Sequence, residues 1–427
     1  MAQLSSRQIS QLHLYKALHA VRLRAGPTSR AEICEATGLS QPSVSGLTRR
    51  LLTSGALIKV GARASSGGGR REGELALNPD FVWVVGVNIS LYQITVTLTD
   101  FVGAVRRTSQ SSLITPISKA SLVSRVVKDV RACLAEAGDS AARLAGVGIA
   151  LPGFVDSIAD EVHWSALFDN RGGSLVVLHL AQSISKRLDV PVFIENEANI
   201  RAMAEQWFGR AGGVANVAVI TLEQGLGLGM VINGELYRGR AGLAAELAHI
   251  QIEPGGRECH CGKHGCLEAY VSHYAVVGQG QEAGLLPRGY MPPHVVDATY
   301  EKFALAARNG DMRALAIFKR QGQLLGTWIG NLVNLLAPQL VVLDGGRAVA
   351  IELFEASLRA AMEDAMALPH RGQVPLVISH AGGEAWARGA ASLVLQRLDQ
   401  SAEIVAAASR HGFDDALSKP AARRAAT

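Results

Sequence analysis

Between Glu246 and Glu268 the chain reads ELAHIQIEPGGRECHCGKHGCLE. His249 is followed ten positions later by Cys259, and then by Cys261 and Cys266. Three thiols and one imidazole are the ligand set of a closed, tetrahedral structural zinc site. Three of the five cysteines fall within eight positions between glycines, a bunching that scattered buried cysteines do not show. His260 and His264 stand close enough to replace a ligand. Two carboxylates bracket the stretch, Glu246 before the histidine and Glu268 after the last cysteine. A metal knot that fixes two carboxylates would hold a polyol-binding pocket rigid.

The second stretch with a chemical signature lies near the N-terminus. Apolar residues at Ile9, Leu12, Leu14, Leu18, Val21 and Leu23 repeat with helical period between Ser6 and Arg24. Ser29 with Glu32 makes a capping box for a helix over Arg30 to Thr37. After Gly38-Leu39, Ser40 caps a third helix, QPSVSGLTRRLLTSG, with Pro42 in its first turn and Gly55 at its end. Two short helices joined by a Gly-containing turn are a helix-turn-helix. Val44, Leu47, Leu51 and Leu52 would face the core. Gln41, Ser43, Ser45, Thr48 and Arg49, with the capping Ser40, would reach base edges and phosphates. A strand from Leu57 to Val60, a Gly/Ser/Arg tip and a return strand from Glu74 to Leu77 read as a β-wing. Its Arg63, Arg70 and Arg71 suit a phosphate backbone or a narrow minor groove.

Charge supports a polyanion partner for this head. Residues 1–80 hold 11 Lys/Arg against 5 Asp/Glu, whereas the remainder holds 31 against 32, so the net charge of +5 arises entirely in the first fifth of the chain. At 427 residues two or three domains are expected. No apolar run is long enough to span a bilayer, the first residues lack a signal-peptide core, and an odd, clustered set of cysteines suits a reducing cytoplasm and a metal. The expected location is therefore cytoplasmic, with no membrane contact.

The elements that must position the knot read as α/β. Phe81 to Val87, Gln93 to Thr99 and Asp100 to Thr108 read as consecutive strands, with Asn78-Pro79 as a hinge before them. A helix over 119–137 leads to a buried strand over Ala145 to Leu151. A strand over Val190 to Ile194 ends in Glu195-Asn196-Glu197 and feeds a helix from Ala198 to Phe208. Polar residues at strand carboxyl ends with helices after them point to ligand binding at that edge. A second lobe begins near Asn216, with a strand over Val217 to Leu222 and a hairpin turning at Asn233-Gly234. The knot follows, with a helix from Leu267, a loop over 281–298, a helix over Asp311 to Leu336, strands over Leu340 to Leu343 and Val374 to Ser379, and a helix from Glu384. The division expected is 1–79 winged helix-turn-helix, 80–215 first lobe, 216–400 second lobe with the knot, and 401–427 a flexible tail. The fold class is α/β, a head followed by a two-lobed, actin-like, sugar-kinase-like (ribonuclease H-like) body.

ELAHIQIEPGGRECHCGKHGCLEAYVS resembles the signature of the ROK family of repressors and sugar kinases, as do LPGFVD, FIENEANIRAMAEQWFG and GLGLGMVINGELYRGRAG. With a winged helix in front, the chain resembles the repressor branch that includes xylose and N-acetylglucosamine regulators. The resemblance implies His249, Cys259, Cys261 and Cys266 as zinc ligands. It implies Gly153, Asn196, Glu197, Glu246, His249 and Glu268 as sugar contacts, with His249 serving both metal and sugar and Glu197 at the family's catalytic-base position.

The kinase pattern is broken where phosphates would sit. The family's Asp-x-Gly-Gly-Thr is Asn88-Ile89-Ser90-Leu91-Tyr92 here, without the glycines that permit close backbone approach or the threonine hydroxyl. The second phosphate loop is Glu223-Gln224-Gly225, where a carboxylate would repel a polyphosphate. Phosphoryl transfer depends on that positioning. No catalytic residues and no ATP are therefore expected. The expected protein is a sugar-responsive regulator that binds a DNA operator as a homodimer or homotetramer. The competing readings are an ATP-dependent sugar kinase carrying a DNA head, and a sensor of a partner protein.

Overall fold

The computed structural model describes residues 5–400 apart from 25, 64–71, 138–143, 169–176, 346–347 and 381. The expected tail, and Arg70 and Arg71 of the expected wing, lie outside the described residues.

The head is three helices and a hairpin: α1 (Ser6–Arg22), α2 (Arg30–Thr37), α3 (Gln41–Ser54), β1 (Leu57–Arg63) and β2 (Glu72–Leu77). The capping box forms as the sequence requires. Ser29 Oγ accepts from the Glu32 amide, and the Glu32 carboxylate accepts from the Ser29 amide at 2.7 Å. Gly38 and Gly55 close α2 and α3 in the left-handed conformation. Thr28 makes an isolated antiparallel bridge to Leu75 of the wing hairpin.

The first lobe continues with β3 (Trp83–Ile89), β4 (Gln93–Asp100), β5 (Val105–Ser112), α4 (Lys119–Ala135), β6 (Leu144–Leu151), the small hairpin β7 (Phe154–Asp156) and β8 (Glu161–Trp164), α5 (Leu180–Leu188), β9 (Val192–Asn196) and α6 (Glu197–Phe208). The expected third strand begins later than the sequence suggests. Asp100 Oδ1 accepts from the amides of Val102 and Ala104, which makes residues 101–104 a turn. The second lobe holds β10 (Val217–Leu222), β11 (Leu226–Ile232), β12 (Glu235–Leu236), α7 (Glu268–Val271), α8 (His273–Glu282), α9 (Pro293–Arg308), α10 (Met312–Leu336), β13 (Leu340–Gly345), α11 (Ala348–Ala365) and β14 (Leu376–Ser379), followed by α12 (Gly383–Gln400). The loop expected over 281–298 ends early, because Pro293 opens α9 where its missing N–H costs nothing.

The two five-stranded sheets repeat one plan. Their orders are β5-β4-β3-β6-β9 and β12-β11-β10-β13-β14, each an antiparallel meander continued by two parallel strands. The helices that end the two lobes are exchanged. α6 follows β9 of the first lobe yet packs on β10 and β11 of the second, while α12 follows β14 of the second and packs on β3, β4 and β6 of the first. Glycines allow both approaches: a Cβ at Gly229 would lie 2.2 Å from the Ala198 carbonyl oxygen, and one at Gly86 would lie 1.8 Å from that of Ala387. The expected second lobe, 216–400, therefore loses its last helix to the first lobe in space.

The head is not hinged freely at Asn78-Pro79. Leu14, Leu18 and Val21 of α1 share one buried cluster with Phe101 and with Val394, Leu395 and Leu398 of α12. At the centre of that seam Arg22 donates Nε and Nη2 to the Asp399 carboxylate at 2.7 and 2.8 Å, and Nη1 to the Phe101 carbonyl. Its guanidinium also lies over the rings of Phe101 and Trp207. Both partners are buried, at 2% and 0% side-chain exposure, so a bidentate geometry is needed to offset the desolvation of two charges.

Candidate sugar and metal site

The knot is a tight, non-periodic stretch held by backbone pairs. Gln251 bridges to Cys266 and Glu258 to His264, and the Cys259 amide donates to the Lys263 carbonyl at 2.8 Å. These turns bring the ligand atoms of His249, Cys259, Cys261 and Cys266 within 4.8 Å of one another. Cys261 Sγ and Cys266 Sγ are 3.8 Å apart, and Cys259 Sγ lies 3.7 Å from His249 Nδ1. Metal–thiolate bonds of about 2.3 Å at tetrahedral angles give a sulfur–sulfur edge of about 3.8 Å. A disulfide would need about 2.05 Å, and all three cysteines are free. The donor set thus fits a tetrahedral cation.

Protonation agrees for the imidazole. Burial, with help from Lys263, pushes His249 down to about 4, so it is neutral at pH 7 as a ligand must be. Burial pushes the Cys259 and Cys266 thiols up, which a bound cation would reverse. His260 stacks on Tyr274 and His264 is exposed; neither belongs to the cluster.

Gly153, Asn196, Glu197, Glu246, His249 and Glu268 all line a single cavity of about 140 Å3 beside the knot. Asn196 caps α6, its Oδ1 accepting from the Ala198 amide at 2.8 Å, and its Nδ2 donates to the Gly153 carbonyl at 2.9 Å. One side chain thereby ties a strand end, a helix start and the turn into β7. Glu268 is buried; its Oε2 accepts from the Leu226 amide at 3.2 Å, and its Oε1 lies 3.6 Å from Cys259 Sγ. His249 presents Nδ1 to the sulfur cluster while its Nε2 is 4.0 Å from Glu246 Oε2. Burial, then the charge of Glu268, pushes Glu246 up to about 7. Burial, then Glu223 and Glu268, pushes Glu197 up to about 8. Phe154 and Trp164 close one wall, with Phe154 edge-on to His249.

A second cavity of about 320 Å3 lies on the other side of Tyr92 and Trp386, lined by Asn88, Glu223, His273, Asp297 and His380 among others. No lysine or arginine lines either cavity among the described residues.

Sequence reasoning missed the pairs that set the two lobes against each other. Arg238, beyond β12, donates Nε to Glu195 Oε2 at 2.6 Å. Arg201 of α6 donates to Asp344 at the end of β13, to Glu205 at 2.5 Å and to Ser379 Oγ at 3.1 Å. The available signal was a lone arginine within the apolar pattern of α6.

On the face expected to read DNA, Ser40, Gln41, Ser43 and Arg49 are exposed and Ser45 is half-buried. Thr48 is a correction. It is fully buried, donates Oγ1 to the Val44 carbonyl at 2.8 Å and accepts from Arg30 Nε at 2.9 Å. Three and four residues after Ser45 and Val44, it falls on the core stripe of α3 and ties it to α2. Arg63 ends β1, paired with Glu72 across the hairpin.

A sequence description of the ROK family matches residues 84–397, and the chain belongs to that family. Among its members the chain is similar to transcriptional regulators: the xylose repressor of Bacillus subtilis (28% identity, 91% of this chain and 95% of that protein) and NagC, a DNA-binding transcriptional dual regulator of Escherichia coli (27%, 87% and 91%). In structure it is similar to a ROK family transcriptional regulator homologous to the E. coli MLC protein (TM-score 0.75, 24% identity, 93% of this chain and 99% of that chain). It is also similar to a ROK family glucokinase from Streptomyces griseus in complex with glucose and AMPPNP (TM-score 0.60, 28%, 73% and 98%).

Proposed function

We propose that this chain is a sugar-responsive, DNA-binding transcriptional repressor of carbohydrate uptake or catabolism genes, working in the cytoplasm without catalysing a reaction. The observation that carries this reading is the cavity that gathers Gly153, Asn196, Glu197, Glu246, His249 and Glu268 against a metal-ligand cluster, in a chain that begins with a winged helix-turn-helix. Zinc, held by His249, Cys259, Cys261 and Cys266, has a structural role: it fixes Glu246, His249 and Glu268 so that the hydroxyls of a sugar meet preorganised acceptors. The similarity to xylose and N-acetylglucosamine repressors supports a sugar as effector.

The head reads a palindromic operator as a dimer, with Gln41, Ser43, Ser45 and Arg49 toward the bases, and Ser40 and the wing arginines Arg63, Arg70 and Arg71 toward phosphates. The packing of α6 supports a route between sugar and DNA. α6 starts at the cavity with its cap Asn196 and Glu197, and in its last turn carries Trp207, which touches Arg22 and His19 of α1. A sugar that prefers one lobe angle shifts the head through this helix; about 1–3 kcal/mol of coupling suffices.

The test is a gel-shift titration of full-length, zinc-loaded protein on its own upstream DNA, with xylose, glucose and N-acetylglucosamine as probes. The expected result is specific binding weakened by one sugar, and lost by about 1–3 kcal/mol in Arg49→Ala. Specific binding that ignores every sugar would remove the sensing half, and ADP release from ATP with any of them would restore the kinase reading.

A further inference from the structure

The β3–β4 turn of the first lobe and the β10–β11 turn of the second converge on one carboxylate. Tyr92, on the first turn, donates its hydroxyl to Asp297 Oδ2 at 2.8 Å. Gln224, on the second, donates Nε2 to Asp297 Oδ1 at 2.5 Å and to the Pro293 carbonyl at 2.8 Å. His273 Nδ1 lies 2.8 Å from the same Oδ1, and since a carboxylate only accepts, that nitrogen carries the proton. Asp297 and His273 are 4% and 2% exposed, and the imidazole is stacked on Tyr300 at 4.0 Å. Tyr300 in turn bonds Gln321 of α10. The acceptor is therefore held within the second lobe by two of that lobe's side chains, Gln224 and His273, and Tyr92 reaches it from the other lobe.

These two turns stand where the family resemblance puts the two phosphate loops. Tyr92, Glu197, Glu223 and Trp386 line both cavities, so Tyr92 forms part of the partition between them. Where a ligand would otherwise bridge two lobes from this side, side chains do so here.

We propose that Tyr92, Gln224 and His273 form a clasp on Asp297 that joins the lobes across the former nucleotide side, and that Tyr92 is a positioning residue holding the lobes at the angle that completes the effector cavity. The clasp rests on the proposed function only in calling the smaller cavity an effector cavity. Its existence is read without sugar, so its failure and the failure of sugar sensing are separate results.

The experiment is hydrogen–deuterium exchange on the full-length, zinc-loaded chain without sugar, comparing the parent with Tyr92→Phe, Asp297→Asn and the double variant. Tyr92→Phe removes one hydroxyl and keeps the ring. It should speed exchange about tenfold at the turns around Tyr92 and Gln224 and in the first turn of α9, the ratio for losing one hydrogen bond to a charged group. Exchange in α10 and in the head should stay as in the parent. Asp297→Asn should act on the same segments, and the double variant should add nothing beyond the stronger single change. Unchanged exchange at the two turns in Tyr92→Phe, a uniform rise over the whole chain, or additive effects in the double variant would each overturn the clasp. Should Asp297→Asn fail to fold, the Tyr92→Phe pattern decides alone.

Discussion

The two sides of this cleft have met opposite fates. On one side a sulfur and imidazole cluster backs a cavity whose six expected polar and glycine positions converge. On the other, the turns at Ser90–Tyr92 and Glu223–Gly225 offer a phenol, an amide and a carboxylate, and the cavity beyond them carries Glu223 and Asp297 but no lysine or arginine among the described residues. On the proposed reading, one side presents acceptors to hydroxyls and the other is poorly suited to a polyanion. A fold made for two ligands can keep the half that recognises and turn the other half into support.

That contrast can be broken most forcefully at the metal. Cys266→Ser, or prolonged chelation, should remove the proposed zinc and with it a contribution on the scale of about 10–16 kcal/mol seen for structural zinc. Metal analysis should show zinc lost, and calorimetry should show the unfolding transition of the second lobe collapse. A stable, metal-free protein with an unchanged transition would mean the cluster supports nothing.

Next in size is Asn196→Ala. Losing an N-cap costs about 1–2 kcal/mol, and here the bond to Gly153 goes too, so urea unfolding should show a loss of at least that size together with weakened sugar binding. A stability loss with sugar affinity intact would make Asn196 a cap alone.

A smaller effect concerns protons. Burial beside Glu223 and Glu268 holds Glu197 at about 8, against about 4.3 for an unfolded glutamate. The folded chain therefore keeps a proton that the unfolded chain has lost. Glu197's contribution to stability is fully present below about pH 4.3 and is lost as pH rises through about 8. Glu197→Gln should flatten the decline of melting temperature over that window; an unaltered slope would assign it to other groups. The smallest expected effect is none at all: magnesium with AMPPNP should leave the melting temperature where it was, and a clear rise would show that the phosphate side still accepts a nucleotide.

What the sequence made legible was local. The ligand spacing at 249–266, the Ser29 and Glu32 capping box and the Ser40 cap are all decided within a turn or a short loop. Thr48 was misjudged because helix periodicity leaves the edge of a core stripe ambiguous, and its hydroxyl found partners in Val44 and Arg30. The pairing of Arg22 with Asp399 spans 377 positions, and the exchange of α6 and α12 between lobes depends on how two sheets face each other. No spacing rule reports either. Tyr92 was visible as a departure from the family's pattern, but its partner Asp297 sits in a stretch that composition marks as loop.

The Arg22–Asp399 seam bears on how such regulators can be recombined. A head transplanted from a paralogue without an arginine at this point would leave an aspartate buried and unmatched, at a cost of about 3–5 kcal/mol. A body from which α12 had been trimmed would strand the guanidinium instead. Chimeric repressors built on this chain therefore have their natural junction not at Asn78-Pro79 but around a composite unit, in which the DNA-reading helices travel together with the last helix of the chain.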